Sequence, residues 1–258
     1  MAEKRKLSTL SIVLIVLIIG MLGYTALQYT SPRQEIAQDE FGERVRAYLL
    51  GNPKVLREVI DELSTVEQAE AQQAKKSLMA SLSSDLQQDG YSFVAGNPEG
   101  DVTIVEFFDY RCGYCKRSFP DLMKTVEEDG NIRLVLKEFP ILGDDSIEAS
   151  RAAIASIAQG KYMEFHTALM ATRGSLNKDR ILNVASDVGL DVKQLEADMG
   201  ALATEEIISK NYALARKLGV NGTPAFVIGD HISPGALSSE QLLARVAIAR
   251  ENTATATN

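Results

Sequence analysis

The stretch Val102 to Cys115, VTIVEFFDYRCGYC, constrains this chain more than any other. Val102, Thr103, Ile104, Val105, Phe107 and Phe108 are β-branched or aromatic, and such a nearly continuous apolar run suits a strand buried on both faces. Past Cys112 the pattern becomes KRSFPDLMKTVEE, in which Phe119, Leu122, Met123 and Val126 recur at helical spacing. The sequence therefore predicts a buried strand that feeds a helix, with Cys112 and Cys115 at the junction. A helix start offers unpaired N–H groups and the positive end of the helix dipole, so the Cys112 thiolate is expected to be stabilised there. Cys115, three residues on, shares a helix face with Cys112; the spacing allows a small disulfide ring, an exposed attacking sulfur at Cys112 and a more buried resolving sulfur at Cys115.

Two blander readings compete. A C-x-x-C pair can be half of a zinc site, but these are the only 2 cysteines and the only histidines are His166 and His231, so no four-ligand set is in view and no metal is expected. The pair can also be a structural bridge, yet a loop of two residues is far below the lengths at which a cross-link constrains the unfolded chain most. Redox chemistry fits the pair best, with the disulfide itself as the redox group and no further cofactor.

The 258 residues suffice for one good-sized domain plus an appendage. A formal net charge of −8, with no basic surface evident in the sequence, argues against a nucleic-acid partner. Lys4, Arg5 and Lys6 precede an uncharged apolar run from Leu7 to Pro32, long enough to span a bilayer, which takes about 20 residues. The basic flank predicts a cytoplasmic tip, with everything after Arg33 on the far side of a bacterial inner membrane, facing the periplasm. A cleaved signal peptide is the alternative, although Tyr24-Thr25-Ala26 is a poor cleavage site. Either reading exports the domain to a compartment where disulfides form.

Residues 34–89 read as a polar helical stalk. Phe41, Val45, Tyr48 and Leu49 make one apolar patch, Asn52 and Pro53 are placed as N-cap and first helical residue, and Leu56, Val59, Ile60, Leu63 and Val66 continue the stripe. A narrow apolar stripe on a polar helix predicts self-association, against the alternative of a solvated spacer. Turns at Asp89-Gly90 and Gly96-Asn97-Pro98 flank a short strand, Tyr91 to Val94, and the globular domain is expected over 90–250. Glu106 is the oddity of the main strand: either it points to solvent at an edge, or it is buried near the cysteines with a raised pKa and serves as a proton relay, which its spacing favours. Ile132 to Phe139 reads as a second buried strand, parallel to the first through a crossover. About seventy helical residues follow, with Ser146, Asn177 and Asp191 as caps and a long helix over Thr204 to Leu218. His166 falls inside this block and His231 in a turn-like stretch, GDHISPG; neither is assigned chemistry. Thr223-Pro224 enters a strand, Ala225 to Ile228, and is a candidate for a cis peptide. A Ser238-x-x-Gln241 capping box opens a last helix, and residues 251–258 are expected to be a disordered tail.

With FFDYRCGYCK, KEFP and GTPAF in this order, residues 90 to 250 resemble the DsbA-like branch of thioredoxin-fold disulfide oxidoreductases of bacterial envelopes. The resemblance implies an α/β thioredoxin fold with a helical insertion at about 140–219, preceded by the transmembrane helix and the stalk. It implies Cys112 as nucleophile, Cys115 as resolving cysteine, Thr223-Pro224 as a cis-proline loop that holds substrate, and Glu106 as the family's buried acid. Gly113 and Tyr114 replace the Pro-His of the strongly oxidising prototype and are similar to the dipeptide of envelope isomerases and of the suppressor-of-copper-sensitivity branch. Without an imidazole beside Cys112, its thiol pKa is expected to be depressed less and its disulfide to be less oxidising. AYLLGNPKVLREVIDEL resembles the N-terminal helices with which the copper-sensitivity type oligomerises.

The expected protein is thus an anchored isomerase or reductase of unfolded or misoxidised exported proteins, a homo-oligomer through residues 34–89, served by a membrane redox partner. Its alternatives are a tethered disulfide donor and, from another class, an interaction scaffold with a structural or metal-binding C-x-x-C.

Overall fold

The computed structural model describes residue 21 and residues 40–256. The apolar run at 7–32, expected as a membrane anchor, lies outside the described residues apart from Met21; among the described residues no helix is long and apolar enough to cross a membrane. The chain divides into two units, Met1–Ala69 and Glu70–Asn258.

In the first unit, helix α1 (Glu40–Gly51) is followed by the start of α2 (Pro53–Ser81). Asn52 stands between them as the sequence suggests, but its side-chain amide donates back to the Tyr48 carbonyl at 2.8 Å instead of capping α2. The apolar stripe is exposed: Phe41, Val45, Tyr48, Leu56, Val59, Ile60, Leu63 and Val66 all face solvent.

The second unit is built on a five-stranded sheet of order β1-β3-β2-β4-β5. Its strands are β1 (Phe93–Gly96), β2 (Val102–Phe108), β3 (Ile132–Glu138), β4 (Ala225–Ile228) and β5 (His231–Pro234). β2 and β3 pair in parallel, joined by the crossover helix α4 (Gly113–Asp129), while β1–β3, β2–β4 and β4–β5 are antiparallel. Two expectations shift here. The first strand begins two residues later than the apolar pattern suggests, because the Asp89 carboxylate ties the Tyr91 and Ser92 N–H groups into a turn. His231 is in β5, since register with β4 recruits His231 to Pro234 as a short edge strand.

Strand side chains alternate between faces, and both faces are covered. Ile104, Phe108, Leu134, Leu136, Phe226 and Ile228 join a core with α4 and with the helical insertion. That insertion comprises α5 (Asp144–Ser156), α6 (Tyr162–Ala171), α7 (Lys178–Asp187), α8 (Val192–Met199) and α9 (Leu202–Lys217). Val105, Phe107, Val135 and Val227 line the opposite face with Leu214, Ala215 and Leu218. Met79 of α2, and Leu82 and Leu86 in and beside the short α3 (Ser83–Gln87), complete this second core, so part of it comes from residues before 90.

Asn177 and Asp191 cap α7 and α8 by accepting from Arg180 N and Gln194 N. Ser146 is not a cap: α5 starts at Asp144, and the Ser146 hydroxyl donates inward to the buried Asp109 carboxylate. The Ser238–Gln241 box is reciprocal, Ser238 N to Gln241 Oε1 at 2.9 Å and Gln241 N to Ser238 Oγ at 3.3 Å, and opens α10 (Ser239–Ala256). Residues 251–256, expected as disordered tail, continue this helix, with Thr253 and Thr255 hydroxyls donating to the carbonyls of Ala249 and Glu251. Gly100 is required where the chain crosses the β3 entry, since a side chain there would begin 2.5 Å from the Asn131 carbonyl oxygen.

One buried ion pair ties α3 and its following turn to the sheet. Lys137 on β3 is fully buried; its ammonium donates to the Asp85 carbonyl at 2.7 Å and to the Asp89 carboxylate, and lies 5.3 Å from the Tyr91 ring centroid. Burial alone would raise the Asp89 pKa, but hydrogen bonds from Lys137 and Ser92 bring it below the ordinary value. Removing one partner of such a pair leaves an uncompensated buried charge. Lys137→Ala is therefore expected to cost about 3–5 kcal/mol in urea unfolding.

Candidate active site

β2 ends at Phe108 on the inner core, and four residues then turn the chain into α4. Asp109, fully buried, shapes this turn: its carboxylate accepts from Arg111 N (2.7 Å), Ser146 Oγ (2.8 Å) and Leu142 N (2.9 Å), and its carbonyl accepts from Cys112 N (3.0 Å). Cys112 thereby becomes the N-cap residue of α4, with extended backbone, and its sulfur accepts from Cys115 N at 3.5 Å. This is the position that serine or aspartate often takes, occupied by a group that fits best as an anion.

The two free cysteines are held in opposite protonation regimes. The Cys115 thiol, together with the N–H groups of Cys115 and Tyr114 and the Thr223 side chain, lowers the Cys112 pKa from 9.0 to about 5 against the opposing effect of burial. Burial pushes the Cys115 thiol far up, reinforced by its hydrogen bond to Cys112 and by Glu106. These donors come from the second cysteine, from Thr223 and from the helix start, and none is an imidazole. Gly113 and Tyr114 are both exposed; Tyr114 stands 62% open beside the sulfur.

The Thr223–Pro224 peptide is cis, directly before β4, and the Thr223 carbonyl lies 3.1 Å from Cys112 Sγ, where it accepts from the protonated thiol. Glu106 is fully buried in β2, and neither carboxylate oxygen has a hydrogen-bond partner. Burial, then the nearby Cys112 and Glu138, raise its pKa to about 8. The fold thus brings Glu106, Cys112, Cys115, Thr223 and Pro224 to one place at the end of the central strands, with Gly113 and Tyr114 on its open side.

A neighbouring cluster escaped sequence reasoning. Glu138, at the end of β3, accepts from the hydroxyls of Tyr110 (3.0 Å), Tyr162 (2.8 Å) and Ser150 (2.7 Å), and burial raises its pKa to about 8 despite these donors. Tyr110 also meets His166 Nδ1 at 2.8 Å; burial lowers the His166 pKa to about 3, so this ring is neutral. The one sequence signal was an acid at the end of an apolar strand, which cannot reveal partners 12, 24 and 28 residues away.

Residues 103–247 match the family described as DSBA-like thioredoxin domain. The chain belongs to that family. Within the DsbA-like family, residues 38–73 also match the copper resistance protein ScsC N-terminal domain. Among solved structures, a thioredoxin-like oxidoreductase from Silicibacter pomeroyi DSS-3 is 48% identical, covering 65% of this chain and 97% of its own, with a TM-score of 0.64. Proteus mirabilis ScsC in a transitional conformation is 31% identical, covering 82% and 96%, at 0.63. A periplasmic thioredoxin-like protein from Salmonella enterica serovar Typhimurium is 31% identical, covering 65% and 95%, at 0.58. The chain spans about a quarter of the length of the first curated relatives it matches, such as the Na(+)/H(+) antiporter NhaA 1 of Salinispora arenicola, 29% identical over 59% of this chain and 24% of that protein.

Two measurements follow from this geometry. Alkylation of the reduced protein by iodoacetamide is expected to rise with pH through a midpoint near 5, and Cys115→Ala to move that midpoint upward by removing the thiol donor. Because the folded Cys112 pKa lies below its unfolded value, its stabilising contribution is present above pH 9 and is lost as pH falls through about 5. Glu106 has the opposite sign: its raised pKa means that stability is lost as pH climbs from the unfolded 4.5 to about 8. Glu106→Leu is therefore expected to stabilise, with a gain near zero at pH 4 and on the order of a few kcal/mol at pH 8, read from urea midpoints.

Proposed function

We propose that the chain is a periplasm-facing, membrane-anchored thiol–disulfide oxidoreductase that acts on exported proteins, chiefly as isomerase or reductase. The observation that carries this reading is the asymmetry of the pair: a Cys112 sulfur ionised at neutral pH at the mouth of the site, and a Cys115 thiol kept protonated beneath it. Cys112 thiolate attacks one sulfur of a substrate disulfide, the other substrate sulfur leaves as thiolate and takes a proton, and a mixed disulfide forms. In reduction, the ionised fraction of Glu106, whose pKa lies near 8, takes the Cys115 proton as Cys115 attacks Cys112 Sγ; the second substrate sulfur leaves as thiolate and takes a proton, and the substrate has gained the two electrons that the pair has lost. In isomerisation a substrate thiol displaces Cys112 instead, and the pair ends reduced. A membrane redox partner returns Cys112 and Cys115 to the dithiol after each reductive turnover.

The N-terminal segments support the setting. The uncharged run at 7–32 has the length and basic flank of an anchor, and the Salmonella neighbour is itself described as periplasmic. The exposed stripe from Phe41 to Val66, in a segment similar to an ScsC N-terminal domain, supports homo-oligomers, in which clustered sites probe one substrate repeatedly.

A second reading, a tethered disulfide donor, is favoured by one observation: the low Cys112 pKa makes it a good leaving group and stabilises the dithiol form, as a donor requires. Reactivation of a scrambled-disulfide test protein separates the two. A soluble fragment 34–258 is expected to reactivate it, and a fragment 70–258 to do so at least several-fold more slowly; oxidation of reduced substrate by both, with no unscrambling, would establish the donor.

A further inference from the structure

In a chain of net charge −8, the surface beside Cys112 is cationic. Arg117 lays its guanidinium over the exposed Tyr114 ring, with Cζ 4.4 Å from the ring centroid, and its Nη1 stands 3.4 Å from where a Gly113 side chain would begin. The group is thus fixed against both residues that separate the cysteines. Arg111, the exposed residue before Cys112, reaches the other way: its Nη1 donates to the Leu142 carbonyl and lies 3.3 Å from where a Gly143 side chain would begin. Lys116 is turned inward, onto the carbonyls of Leu169 and Thr172.

Among the described residues no carboxylate forms an ion pair with Arg111 or Arg117. Asp109 and Glu106 are fully buried, the former saturated by its own donors. Asp144 and Asp145 open α5 just beyond Leu142, and Asp121 lies one turn beyond Arg117; none of the three pairs with either arginine. A guanidinium stacked on an aromatic face keeps its edge free and loses little rotamer freedom when a carboxylate arrives.

We propose that Arg111 and Arg117 form an anion-reading rim, and that the preferred substrates are polypeptide cysteines flanked within a few residues by Asp or Glu. This rests on the exchange reading and names its substrate class. The bond changes are those of exchange: the rim carboxylate contact holds the substrate disulfide over Cys112 Sγ, and no atom of either arginine is transferred. Charges at a rim act mainly on the association rate and are screened by salt.

The test uses three peptides of one length, each closed by a single disulfide flanked by Glu, Gln or Lys. Second-order rates with the reduced protein are divided by those of the same peptides with a neutral small thiol, which removes differences in intrinsic reactivity. At about 20 mM ionic strength the Glu peptide is expected to react roughly tenfold faster than the Lys peptide, with Gln between, and the ratio to collapse at about 0.5 M. Arg111→Gln with Arg117→Gln is expected to level the ratio, and Arg117→Lys alone to leave part of it, since charge remains but the stacked fork is lost. Equal wild-type rates for Glu and Lys, or a ratio that survives the double substitution, would overturn the rim. Absence of reaction with all three peptides would instead overturn the exchange reading, and the rim with it.

Discussion

Burial of β2 on both faces is the constraint on which the rest depends. A central strand whose seven residues are nearly all inside must have a neighbour on each edge and a layer on each face. β3 arrives in parallel, which requires a crossover, and that crossover is α4. The active-site helix is therefore also the connection that the sheet cannot do without. Its N-cap, Cys112, is held from two sides: Asp109 fixes the turn from one and the loop before β4 closes it from the other.

From this follows the division of labour between the sulfurs. Both sit at the same helix start, yet Cys112 occupies the cap position and collects donors, whereas Cys115 is inside the first turn and supplies one. The buried carboxyls deepen the contrast. Glu106, inside β2 and without partners, and Glu138, at the end of β3 with three hydroxyls, are each held largely protonated by burial at neutral pH. A desolvated acid next to a thiol is costly to fold around, and that cost is tolerated where proton movement is part of the work.

Much of this was legible because it is local. The strand–turn–helix around Cys112, the parallel crossover, the Asn177 and Asp191 caps, the Ser238 box and the proline at the β4 entry each depend on residues a few positions apart. The resemblance located Glu106 and Thr223 relative to the cysteines. What was not legible depends on long-range pairing. Ser146 looks like a cap because serine before an apolar helical pattern usually is one, but a buried carboxylate 37 residues earlier claims its hydroxyl. His231 sits among turn residues until β4 offers its edge. The Glu138 cluster draws on β3, α5, α6 and the turn before Cys112, and no periodicity links them.

Met79, Leu82 and Leu86 set where the folded domain of the second unit begins. The segment similar to an ScsC N-terminal domain ends at residue 73, only six residues before the first of these core side chains, all within or just beyond a helix that began at Pro53. A domain cut at its first strand would lose all three side chains and keep a sheet with one face partly bare.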